Sequence, residues 1–301
     1  MAQFYRHSGI VPIPGLVQTA LAGLGSALSL GVVYGYVSAW MPFIYANFLL
    51  TAGFGFLVGW LINRAARAGR IRNSLVPAVI GLVSSVTGMY FAWAGDMYAR
   101  IGLPQKASIF IALDPRVMAS YMEWFYANGA WGIGKHGGNV TGLFLGAVWL
   151  TEAGVIVGIA TLYPWSEISN WVFCEKCHWW ATIETCPQRL SVDGSGTIIE
   201  RLNADDLTVL STAALADPHE STYLQLQLAT CPTCDECNYL DLERGVVTVD
   251  KNGKASTKTE KVIKKLELAA VDVPLVRAAG QSPPEVAPEE APADPAASPE
   301  G

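Results

Sequence analysis

Charge is what this sequence has least of. Only 15% of its residues are charged, against about 25% in ordinary soluble domains, and none stands between Gly15 and Asn63. Cysteine is missing from the first 173 residues, and no basic residue follows Arg277. The four histidines (His7, His136, His178 and His219) are scattered, and no phosphate-binding loop, nucleophile–base pairing or paired-carboxylate pattern stands out. These absences argue against a single globular enzyme. The net charge of −6 argues against a nucleic-acid binder working through overall basicity.

What fills the first half instead is apolar. A hydrocarbon core of about 30 Å takes about twenty apolar residues in helical form. Four stretches meet that length: Leu16–Ala39, Phe43–Ile62, Ser74–Gly95 and Val140–Tyr163. Trp40-Met41-Pro42 marks a tight turn between the first two, and Asn73 or Ser74 caps the third with Pro77 in its first turn. The fold class predicted is an α-helical membrane protein of four transmembrane helices, carrying a small β-rich, zinc-ribbon-like soluble domain and a disordered C-terminal tail. Its parts are expected at 1–170, 171–277 and 278–301.

Arg64, Arg67, Arg70 and Arg72 crowd into the connection between the second and third spans. Basic residues in short loops stay on the cytoplasmic side, so four spans put both termini in the cytoplasm, in a bacterial-type inner (plasma) membrane. On the outer side, Asp114-Pro115 opens and Asn128-Gly129 closes a helix over about 115–127. Val117, Met118, Tyr121, Met122 and Phe125 share one face of it, so it should lie on the bilayer or on the bundle.

Small residues recur four apart in the spans: Gly23, Ala27, Gly31 and Gly35 in the first, and Gly138, Gly142, Gly146, Gly154 and Gly158 at the last. Such stripes let helix backbones approach closely, either within a four-helix bundle or, for the first stripe, in a homo-oligomer. Glu152 is the lone ionisable group deep in a span. It is expected to hydrogen-bond a neighbouring helix, with a small transporter or channel-like oligomer as the alternative.

All six cysteines lie between positions 174 and 237. In a cytosolic segment stable disulfides are disfavoured and metal ligation gains weight. Two Cys-x2-Cys pairs, Cys174/Cys177 and Cys231/Cys234, can complete a tetrahedral shell of four thiolates around zinc. The pairs stand 53 residues apart. Around them, Trp180–Glu184, Tyr223–Leu228 with Leu224, Leu226 and Leu228 on one face, Tyr239–Glu243, and Val246–Val249 before Asn252-Gly253 read as strands. Ala204–Ala216 reads as a helix capped by Asn203.

Over about residues 172–245 this pattern resembles the zinc-ribbon class, in which two knuckles on β-hairpins clasp one structural zinc. The resemblance implies Cys174, Cys177, Cys231 and Cys234 as ligands, with Cys237, Cys186 and His178 as alternates, and it implies interaction rather than catalysis. The long insert and the surplus Cys186 and Cys237 depart from the class pattern. Cys174-x2-Cys177-His178 also matches c-type haem attachment, and paired cysteines suit dithiol exchange. Both chemistries belong to the outer face in the proteins they resemble, opposite to the side predicted here.

Five lysines in 254–268 suit a last strand or a solvated helix, and six prolines in 283–299 predict disorder. The function expected is that of an anchor or scaffold. It would present a zinc-stabilised module, lacking a large continuous core, to an unidentified cytosolic protein. Lipid is the other partner, and no nucleic acid is expected.

Overall fold

A computed structural model describes residues 2–41, 44–102, 108–129, 139–217, 219–234, 236–251 and 253–279. Pro42, Phe43, His136, Gly138, Asn252 and all of the tail beyond Ala279 lie outside the described residues. The chain divides into two compact units, one of residues 7–173 and the other of the first six residues together with the chain from Cys174 onward.

The first unit is built on four helices long and apolar enough to cross a membrane: α1 (Ile13–Ala39), α2 (Ile44–Ala68), α3 (Leu75–Met97) and, last, Gly142–Asn170. Between α3 and that last helix come a π-helical turn at Tyr98–Gly102, the short α4 (Ile109–Ala112) and α5 (Pro115–Asn128), so the last helix is α6. Two ends run past the expected limits. α2 continues six residues beyond Ile62, carrying Arg64 and Arg67 on its final turns, because Ala65 and Ala66 extend its buried face. α6 passes through Pro164. A proline there cannot bond the carbonyl four residues earlier, and that carbonyl, of Ala160, is the atom facing Gly81 of α3.

Backbone proximity holds these helices together. On α1, Gly15, Gly23, Ala27, Gly31 and Gly35 are buried. A methyl group on Gly31 would run into the Gly88 carbonyl, and one on Gly35 into that of Ala92, while Gly95 of α3 answers against Val32. α3 therefore packs on the small-residue stripe of α1, as expected for a bundle. α2 and α6 meet through Gly55 against Ile156 and Gly59 against Ala160, where an added Cβ would find backbone atoms at 3.0 and 3.2 Å. Gly154 and Gly158 of α6 face open space.

α5 starts at Asp114, whose carboxylate accepts from the Arg116 amide at 2.8 Å, and stops at Gly129 with φ +89°. Its buried face is narrower than the sequence suggested, comprising Met118, Tyr121 and Phe125. These pack with Trp93, Ala94 and Met97 of α3 and Trp149 of α6, so α5 lies on the bundle. The Tyr121 hydroxyl donates to Asp96 at 2.6 Å, and Arg100 donates to the same carboxylate at 3.0 Å. Beside that acceptor, burial and the negative charge hold the Tyr121 hydroxyl's pKa well above its ordinary value.

In the second unit a two-stranded hairpin, β1 (Phe173–Cys174) and β2 (Trp179–Trp180), precedes a four-stranded antiparallel sheet in the order β3-β4-β5-β6. Its strands are β3 (Thr182–Ser191), β4 (Thr222–Thr230), β5 (Asn238–Val249) and β6 (Ala255–Glu267). The lysine-rich stretch is thus a strand, paired with β5 across a turn in which Gly253 takes φ +77°. Alternation puts Leu224, Leu226 and Leu228 of β4 on one face, at 0–1% exposure, beside Leu240 and Leu242 of β5. α7 (Ser195–Asn203), a 3-10 turn at Leu207–Ser211 and α8 (Val273–Ala278) cover that face.

The result is one continuous core of eighteen buried residues among those described. This corrects the expectation of a module without a large core: the long insert between the cysteine pairs supplies β3, α7 and β4. The helix expected at Ala204–Ala216 is displaced as well. Ile198 and Leu202 bury one face of α7, which ends where its cap had been expected to begin a helix. Asp205 takes φ +71°, and Asp206 caps the 3-10 turn by accepting from Thr208 at 3.1 Å.

A short N-terminal segment completes the sheet. Tyr5 donates its amide to the Lys265 carbonyl at 2.9 Å, and Glu267 donates to the Gln3 carbonyl at 2.8 Å. The Tyr5 ring packs edge-on against Tyr239, 5.1 Å between centroids. Beside it β6 bulges, with Lys265 at φ +55° and its amide bonded to Asp241 at 2.6 Å. Burial lowers the Lys265 amine to about 8.

Candidate metal centre

Two tight turns bring the cysteines together. The first is the β1–β2 hairpin, where the chain leaves Cys174, passes Cys177 and reverses through His178 at φ +53°. The second spans the end of the β4–β5 pair, closed by Thr230 opposite Asn238 and by the Cys231 amide donating to the Cys237 carbonyl at 3.0 Å. Both turns use one local device. The Cys174 thiol accepts from the backbone amides of Lys176 and Cys177, and the Cys231 thiol from those of Thr233 and Cys234. In each Cys-x2-Cys the first sulfur is thus held by the amides two and three residues on.

The sulfur atoms of Cys174, Cys177, Cys231 and Cys234 all lie within 4.8 Å of one another, with Cys174 and Cys234 at 3.6 Å. Four thiolates at the usual zinc–sulfur distance of about 2.3 Å form a tetrahedron with edges of about 3.8 Å, so this spacing suits one ion. Cys174 and Cys231 are buried, Cys177 and Cys234 half-buried. Lys176 and Glu236 form an ion pair from one turn to the other.

The thiols are electrostatically unequal. At Cys231 burial pushes upward, but the two amides and neighbouring thiols outweigh it and bring the group to about 7. Cys177 is pushed up to about 12, first by its hydrogen bond with the Cys234 thiol and then by burial. Burial also raises Cys174. Four negative sulfurs this close repel, and a cation among them is what lets all four ionise together.

The alternates fall outside this mutually close set. Cys186 is buried in the sheet core, its sulfur 3.9 Å from the Val276 carbonyl, and burial raises its thiol. Cys237 lies beside Cys174 but outside the mutually close set, and burial raises it too. His178 is exposed and serves the turn through its backbone. The amide donors and the N-terminal bridge to β6 escaped sequence reasoning, the former because any residue supplies an amide. The signal for the latter was three residues, Gln3-Phe4-Tyr5, too short for periodicity.

Glu152 accepts a hydrogen bond from the Asn47 side chain of α2 at 2.7 Å, one turn from where Tyr34 and Thr51 join their hydroxyls at 2.8 Å. No family model, curated protein or solved structure matches this chain.

Proposed function

We propose that this protein is an integral membrane anchor whose four apolar helices cross the bilayer and whose β unit is a cytosolic, zinc-ribbon-like interaction module. The observation that carries the reading is the convergence of four thiols from two segments far apart in sequence. An all-thiolate, tetrahedral donor set suits zinc, which structural sites of this composition commonly hold. Cys174, Cys177, Cys231 and Cys234 would hold the ion, and its role would be to tie the β1–β2 turn to the β4–β5 turn. The convergence uses both Cys-x2-Cys pairs at once, which neither haem attachment nor dithiol exchange at Cys174/Cys177 requires.

Two observations support the topology. The arginines of the α2–α3 connection favour a cytoplasmic location for that end of the helices. Independently, pairing of Gln3–Tyr5 with β6 requires the N-terminus to lie on the same side as the cysteine module, and hence an even number of crossings between them. The glutamate in α6 is accounted for by its bond with Asn47, which ties α6 to α2.

Metal analysis of purified protein is expected to give one zinc per chain. Maleimide labelling of Cys177 in sealed cells is expected only after permeabilisation and zinc removal. A folded module containing no metal, or labelling from outside intact cells, would overturn the reading.

A further inference from the structure

The four clustered sulfurs do not share one environment. Cys174 and Cys231 are buried, while Cys177 and Cys234 keep part of their surface in solvent. A thiol that coordinates a metal is deprotonated, and the thiolate is the form that a peroxide oxidises. Cys234 thus presents a sulfur of the reactive kind to solvent. Across the gap between the two turns, the Cys174 sulfur stands 3.6 Å from it. A disulfide needs its sulfurs at about 2.05 Å, so a small approach of one turn to the other closes that pair.

None of the four cysteines belongs to the eighteen-residue core, so the packing of the sheet is built without them. A fifth thiol, Cys237, is buried and hydrogen-bonds with the Cys174 thiol, which makes it the rival partner for Cys174. The sixth, Cys186, lies inside the core, away from solvent.

We infer that the four-cysteine centre is an oxidation site for hydrogen peroxide, at which Cys234 and Cys174 close a disulfide between the two turns and zinc is released. This rests on the zinc reading above and adds a regulation to it. In the first step the Cys234 thiolate attacks one peroxide oxygen: an S–O bond forms, the O–O bond breaks and hydroxide leaves, giving a sulfenic acid. In the second the Cys174 thiolate attacks the Cys234 sulfur: the S–S bond forms, the S–O bond breaks and a second hydroxide leaves. The two thiolates together give up two electrons, and one peroxide is reduced to two hydroxides. Cys177 and Cys231 remain, two ligands where structural zinc takes four. A small dithiol reverses the change, becoming a disulfide itself while Cys174 and Cys234 return to thiols.

Full-length protein purified in detergent under reducing conditions, then freed of reductant and treated with stoichiometric hydrogen peroxide, tests it. A metallochromic dye follows the zinc, and peptide mapping identifies the disulfides. The expected result is loss of one zinc per chain, a Cys174–Cys234 disulfide, and rebinding of zinc after dithiothreitol. Amide protection in 224–228 and 240–242 should persist throughout, and Cys237→Ser should release zinc as the wild type does. Zinc that stays bound, zinc lost without that disulfide, a Cys174–Cys237 disulfide in its place, or loss of protection across the sheet would overturn this inference and leave the metal reading standing. Protein that holds no zinc before peroxide is added overturns the metal reading itself.

Discussion

Chelation of the metal should loosen one end of the β unit and leave the rest standing. The eighteen-residue core is covered by α7, the 3-10 turn and α8, and four of its central side chains, Leu224, Leu226, Leu228 and Leu240, are fully or almost fully buried. Of the four close cysteines, none belongs to that core. Structural zinc in small finger peptides contributes on the order of 10–16 kcal/mol, more than the whole stability of many domains. With metal bound, the amides of 231–237 should therefore exchange only when the unit opens globally. Without it, what holds that turn among the described residues is the backbone bond from Cys231 to Cys237, and one such bond is worth about 1 kcal/mol net. Protection of these amides should fall to about fivefold, the factor that 1 kcal/mol represents. Hydrogen–deuterium exchange of the full chain in detergent, before and after a strong chelator, reads both regions. The expected result is rapid exchange in 173–180 and 231–237 with 224–228 and 240–242 still protected. Collapse of protection throughout the sheet would refute the independence of the core, and unchanged knuckle exchange would refute the metal.

Three further outcomes follow from the packing. Gly35→Leu should lower the stability of the helical unit by about 1–3 kcal/mol, the range typical of overpacked close contacts, since its side chain would meet the Ala92 carbonyl, whereas Gly25→Leu, facing open space, should not. Removing residues 2–6 should speed amide exchange along 263–267 without releasing the zinc proposed at the four cysteines. The amine of Lys265, held near 8 by burial against 10.5 ordinarily, binds fewer protons folded than unfolded between those values. The unit should therefore gain stability as pH rises from about 8 to 10.5, and denaturant melts of Lys265→Met should lack that part of the slope.

Apolar runs and alternation are properties of each residue and its near neighbours, and features resting on them were legible. The four long helices, the Leu224/Leu226/Leu228 face and the cap at Asp114 are of this kind. Helix ends were not, because they depend on what lies alongside. The last span was expected to end at Tyr163, yet the helix continues through Pro164 with the Ala160 carbonyl facing Gly81, and Ala65-Ala66 fell in the expected connection beside four arginines. The acidic run at 205–206 resembles a helix start, and the same residues serve equally to end one helix and cap the next turn. Among the cysteines, spacing singled out the two pairs. The burial of Cys186 depended on β3 running past it into a core assembled from segments far apart in the chain, which no local pattern reveals.

The β-bridge at Phe4, flanked by the Gln3 and Tyr5 backbone bonds, has a consequence for biogenesis. Its partner, Lys265–Glu267, emerges from the ribosome about 260 residues later. Throughout that interval residues 3–5 must wait for their partner while the long apolar helices are made, and β6 must pair with β5 before an edge exists to receive them. The last seam of this sheet to close therefore joins residues made before the long helices to residues made well after them. A bulky fusion at the N-terminus would be felt at this late docking step, after the helices are already in place.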